Sequence, residues 1–206
     1  MRVVRALLVL SLLGCSLLVQ AEPARHWSVG LHRMSVPDPL DGQPMQVLAF
    51  YPSTGQPHVR RIDGYRLNVA AEAPLAMGRF PLLALSHGNT GTPMALHDLA
   101  SALARRGFVV VAAVHPGDNY KDHSRLGTLS NLYGRPLQIS AAITAALEDP
   151  LLAPELSADQ VGMIGYSAGA ETALILSGAR PDLQRLRRYC EERPLDADAC
   201  TRHGEL

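Results

Sequence analysis

The sequence predicts an α/β protein built on a mostly parallel sheet with helices on both faces, and three observations carry that reading. Short apolar runs at residues 81–85, 109–114 and 161–166 have the character of strands buried on both sides. Helical periodicity follows each run, at residues 94–106, 135–147 and 168–176. Two further strand-like stretches, residues 26–36 and 45–51, flank the Asp41-Gly42 turn signal and add an antiparallel pair in front.

The elements take their places in chain order. Residues 1–21 read as a secretory signal peptide. Arg2 and Arg5 give the basic start, residues 6–19 the uncharged apolar run, and Val19-Gln20-Ala21 the small residues of a cleavage site. A membrane anchor is the alternative, but the run is shorter than the roughly 20 apolar residues a span needs. A lipoprotein anchor at Cys15, within Leu12-Leu13-Gly14-Cys15, is a third reading; the apolar run continuing past Cys15 argues against it. Residues 22–206 would then form one exported domain with no membrane span.

In that domain residues 52–78, rich in Pro, Gly and polar side chains, read as a connecting loop. Leu96, Leu99 and Leu103 mark the first helix, which Gly107 ends. Arg135-Pro136-Leu137 opens the second, with Pro136 in the first turn. Residues 183–191 give one more helical stretch. Cys190 and Cys200 follow, and in an oxidising compartment they are expected to form a local disulfide, the alternative being two free thiols.

Composition narrows the function. With 47% hydrophobic residues, 18% charged and 19 basic against 19 acidic side chains, neither disorder nor an electrostatic nucleic-acid binder fits. Aromatic residues, at 5%, are too few for base-stacking platforms. Asp118, Asp122 and His123 lack the spacing of a metal site, so no metal and no cofactor is expected.

Chemistry enters where strand meets helix. Gly165-Tyr166-Ser167-Ala168-Gly169 is a G-x-S-x-G pentapeptide between an apolar strand and an Ala/Leu helix, the context of a nucleophile elbow. Gly165 and Gly169 permit the sharp turn, and the helix starting there aims its dipole and the N–H of Ala168 at a developing oxyanion. The other reading is a glycine-rich turn with a capping serine. Ser86-His87-Gly88-Asn89-Thr90-Gly91 also links a buried strand to a helix and can present a second N–H. His87 is expected to prop that loop together with Gly88, and His115-Pro116-Gly117-Asp118 to form loop architecture at the rim.

Taken with Arg135-Pro136-Leu137, these motifs resemble the α/β-hydrolases, in particular exported dienelactone-hydrolase-like and platelet-activating-factor-acetylhydrolase-like esterases. The resemblance covers the first two-thirds of such a domain. It implies Ser167 as nucleophile, Asn89 and Ala168 as oxyanion-hole donors, and a small-molecule ester as substrate. Dienelactone hydrolases carry cysteine where this chain has Ser167.

The fold's order of serine, acid, histidine is not met by a rigid framework after Ser167. Asp196, Asp198 and His203 crowd a polar tail, with no apolar strand to place them. Two readings follow: an incomplete, weakly active or inactive copy of a serine ester hydrolase, or a non-catalytic exported binding protein on the same half-fold. Either leaves the Ser167 strand as a long, flat sheet edge open to self-association. Residues 116–134, including Tyr120, Leu126, Leu129, Leu132 and Tyr133, are expected to wall the cleft.

Overall fold

The computed structural model describes residues 26–196 and Cys200. The segment read as a signal peptide, with Cys15, lies outside the described residues, as do Asp198 and His203. Seven strands form one mixed sheet: β1 Ser28–Pro37, β2 Pro44–Ser53, β3 His58–Ile62, β4 Tyr65–Ala71, β5 Phe80–Ser86, β6 Val109–Ala113 and β7 Leu156–Gly165. The helices are α1 His97–Ala104, α2 Leu129–Glu148, α3 Ala168–Leu176 and α4 Leu183–Glu192. Spatial order is β3-β4-β1-β2-β6-β5-β7.

The antiparallel pair at the start pairs residue for residue, from Ser28 opposite Ser53 to Pro37 opposite Pro44. β6 runs antiparallel to β2, and β5, β6 and β7 run parallel. All five residues of β6 are buried because both its faces are covered. Val109, Val111 and Ala113 join Leu82, Ala84, Ile139 and Ala142 under α2. Val110 and Ala112 turn the other way, to Leu48, Leu85, Ala100 and Ala104 under α1. This period-two split fixes the register, since a one-residue slip would exchange the faces.

Two elements differ from the sequence expectation. Residues 52–78 are not simply a loop: β3 and β4 form a hairpin inside them, with Ile62 opposite Tyr65 and Asp63-Gly64 as its two-residue turn. Asp63 and Gly64 both hold positive φ, 48° and 86°, the geometry that tight hairpins demand. The α2 helix begins at Leu129 rather than at Arg135. The Thr128 side chain accepts from the Asn131 N–H at 3.1 Å and caps it, so Arg135 and Pro136 sit within the helix. Pro136 removes one internal hydrogen bond, and burial of Ile139, Ala142 and Ala146 along the same helix offsets that loss.

Beyond α3 lies α4, capped by Asp182 and joined through Cys190 to Cys200 by a disulfide with Cα atoms 5.5 Å apart. That bond fits an oxidising, non-cytoplasmic setting. No side chain of α4 is buried. Among the described residues no helix is long and apolar enough to cross a membrane.

Candidate active site

Three loop ends meet at the carboxyl edge of β5, β6 and β7. β7 ends at Gly165, Tyr166 N–H donates to the Ser86 carbonyl at 3.1 Å, and Ser167 turns the chain into α3. Ser167 stands at φ 53° and ψ −120°, a conformation costly for any residue but glycine. The turn closes at once: Gly169 N–H reaches the Tyr166 carbonyl and Ala170 N–H the Ser167 carbonyl, each at 2.8 Å. A Cβ on Gly169 would collide with the Ser86 carbonyl, and one on Gly165 with the Gly169 carbonyl. The two glycines therefore let strand end, helix start and β5 pack backbone against backbone, leaving Ser167 exposed at the tip.

The loop after β5 lies against that tip. A Cβ on Gly88 would stand 3.1 Å from the Ser167 Cβ, so His87-Gly88-Asn89 and Ser167 are neighbours. Thr90 N–H is committed to Asp118 Oδ1 at 2.7 Å. Among the described residues, by contrast, the N–H groups of Asn89 and Ala168 have no acceptor. The latter opens α3 and has none to find within the helix. His87 is buried, its Nδ1–H donating to the Gly88 carbonyl at 2.7 Å and its Nε2 facing the His115 N–H at 3.4 Å. Burial pushes its pKa down to about 4, aided by the Arg135 charge and opposed by the bond to Gly88, so the ring is neutral.

Beneath this surface runs a buried polar network that joins residues far apart in the sequence. Arg135, 2% exposed, pairs with Asp118 Oδ2 at 2.7 Å and donates to Ser86 Oγ at 3.1 Å, Thr172 Oγ1 at 3.3 Å and the His87 carbonyl. One guanidinium thus ties together the loops after β5 and β6 and the helix after Ser167. His115 and Asp118 are fully buried, not at the rim as expected. Gln138 donates through Nε2 to Asp38 at 3.1 Å, so its Oε1 accepts the His115 Nδ1–H at 2.8 Å. His115 Nε2 then accepts the Ser86 hydroxyl at 2.8 Å. This serine–histidine pair has the contacts of a nucleophile and base, but both residues are 0% exposed and no substrate reaches them.

Ser167 Oγ itself has no hydrogen-bond partner among the described residues. Asp196 accepts from Tyr189 Oη at 2.7 Å within the disulfide-closed tail. No group of three or more metal-ligating side chains occurs among the described residues. A cleft of about 250 Å³ lies beside the Thr92-Pro93 end of the β5 loop, lined also by Met45, Pro116, Tyr120 and Lys121. Ser167, Gly88 and Asn89 do not line it, so it is not the cleft expected around the serine; of the residues expected to wall that cleft, those from Leu129 onward belong to α2.

The parallel strands, the elbow at Ser167 and helices on both faces define an α/β-hydrolase fold. A solved ferulic acid esterase from Streptomyces cinnamoneus is similar, with TM-score 0.64 and 22% identity over 76% of this chain and 57% of that one. A dienelactone hydrolase-like promiscuous phosphotriesterase from metagenomic libraries is similar at TM-score 0.49 and 18% identity, over 72% of this chain and 54% of that one. A bacterial heroin esterase follows at TM-score 0.47 and 18% identity, over 87% of this chain and 45% of that one. At these identities the likeness shows the fold alone, and this chain spans little more than half of the first enzyme's length. No family model matches the sequence, and no curated protein does.

Proposed function

We propose that the chain carries the nucleophile and oxyanion hole of a serine carboxylic-ester hydrolase exported by residues 1–21. One observation carries the reading: Ser167 holds a strained, exposed conformation at the β7–α3 turn, directly against the Gly88 loop. In the reaction Ser167 Oγ attacks the ester carbonyl and passes its proton to a solvent water as the C–O bond forms. The N–H groups of Asn89 and Ala168 stabilise the tetrahedral oxyanion. The leaving alcohol takes that proton back from water, and a second water then hydrolyses the acyl-serine to the acid and free Ser167. Side chains and water suffice, so no cofactor is invoked. Short acyl esters and lysophospholipid-like esters suit the mixed character of residues 116–134 equally, and feruloyl esters join the panel because of the name borne by the Streptomyces enzyme.

A serine without a base is a weak nucleophile, and no histidine or carboxylate bonds to Ser167 among the described residues. Turnover by this chain is therefore expected to be slow, with the oxyanion hole sustaining a residual rate. That no base bonds to Ser167 among the described residues is what favours the second reading, a non-catalytic binding protein. The deciding experiment incubates the purified chain and its Ser167→Ala variant with p-nitrophenyl acetate, following nitrophenolate release and acylated protein by mass spectrometry. Slow acylation confined to Ser167 is expected. Equal rates in both proteins, with no acyl-serine, would discard the esterase reading in favour of the binding protein, and fast Ser167-dependent turnover would discard the weak-activity expectation.

A further inference from the structure

At the other end of the sheet from β7, the β3–β4 hairpin and β1 bound a pocket of about 400 Å³. Leu31, Ile62 and Ala71 give it an apolar base, and the exposed side chains of Arg33, Arg60 and Arg61 stand around it. None of its lining residues belongs to the loops around Ser167.

The cations here outnumber the carboxylates free to meet them. Arg33 reaches Asp63 only at 3.9 Å, the outer limit of an ion pair. Glu72 also lines the pocket, but its carboxylate is committed to β1, bonding the His32 ring and accepting the Arg33 N–H at 3.3 Å. The side chains of Arg60, Arg61 and Arg66 have no acceptor among the described residues. Arg61 and Arg66 moreover stand directly opposite each other across the hairpin. Like charges in facing strand positions destabilise a sheet, so the hairpin carries a repulsion that a bound anion would relieve.

We propose that this pocket binds a phosphomonoester, its phosphate held by Arg33, Arg60 and Arg61 and its organic stem resting on Leu31 and Ile62. Planar guanidinium forks match phosphate oxygens, and a phosphomonoester offers three such oxygens with roughly two charges at neutral pH. A carboxylate, with a single charge, would satisfy one fork and leave the others unmatched. Soluble phosphate esters and the headgroup of phosphatidic acid present the same chemistry.

The pocket is independent of the esterase reading, and its test uses binding rather than activity. Calorimetric titration of the purified chain with phenyl phosphate should show one site. Arg60→Gln and Arg61→Gln should each weaken that binding by about tenfold or more, with circular dichroism unchanged. Phenyl sulfate, a monoanion of similar shape, should bind about tenfold more weakly, and inorganic phosphate, which lacks the stem, should also bind more weakly. In the free chain Arg61→Gln should leave the urea midpoint unchanged or raise it, because it removes the repulsion with Arg66. Co-sedimentation with phosphatidic acid vesicles, lost in both variants, would make a lipid headgroup the source of the phosphate; phenyl phosphate binding without vesicle binding would make it a soluble ester. Absent phenyl phosphate binding, or binding indifferent to both substitutions, overturns the proposal. Equal affinity for phenyl sulfate overturns the choice of a dianion, equal affinity for inorganic phosphate overturns the stem contact, and a lowered midpoint for Arg61→Gln overturns the ligand role by showing that the arginine serves the fold.

Discussion

At Ser167 the backbone adopts φ 53°, where a Cβ is crowded and glycine is not. Such a residue persists only because its surroundings over-determine it, here through the bonds of Gly169 and Ala170 and the close packing at Gly165 and Gly169. Ser167→Gly should therefore raise stability by about 1 kcal/mol, read as a higher urea midpoint, while Ser167→Ala should not. An unchanged or lower midpoint for the glycine variant would show that the turn is not strained. In the neighbouring loop, His87 makes a prediction about pH. Its folded-state pKa of about 4 lies below the unfolded value of 6.5, because burial disfavours the imidazolium. The unfolded chain binds more protons in that window, so the neutral ring's contribution is complete above pH 6.5 and is lost as pH falls toward 4. It amounts to about 3 kcal/mol. The urea midpoint should drop from about pH 7 to about pH 5, and NMR should find the His87 ring titrating near 4; titration near 6.5 would contradict its burial.

Among the elements, α2 does more than cover the sheet. Its Arg135 reaches Ser86, His87, Asp118 and Thr172, so the geometry around Ser167 is set by a helix that contributes nothing to the reacting centre. Removing one partner of a buried ion pair leaves the other uncompensated. Arg135→Met should cost about 3–5 kcal/mol in chemical denaturation, and adding Asp118→Leu should recover part of it. Equal losses in the single and double variants would mean that the pair is not coupled. The hairpin of β3 and β4 shows how an element hides in a sequence. Its Asp63-Gly64 turn is a strong signal, but Arg60, Arg61 and Arg66 break the apolar alternation, and polar, proline- and glycine-rich flanks mask the strands. The start of α2 is concealed differently. Pro136 favours a first-turn position, and only the Thr128 cap, well upstream of it, marks the true beginning.

At the scale of the whole sheet, strand burial among the described residues falls from complete in β6 to partial in β7. Among the described residues the elbow is thus carried by the least covered of the strands β5, β6 and β7. Much was legible without coordinates: the buried strands, the antiparallel opening pair, and the strand–turn–helix around Ser167. Each is a local pattern, because alternation, helical spacing and the glycines that allow a sharp turn all lie within a few neighbouring residues. What only the tertiary structure decided depends on residues far apart in the chain. Arg135 meets Asp118, Ser86 and Thr172; His115 turns inward to Ser86 and Gln138; and the pairing of β5 with β7 slips between Pro81 and Leu82. No local rule reports such contacts, since a buried charge or an unpaired edge is defined by what the rest of the chain places beside it.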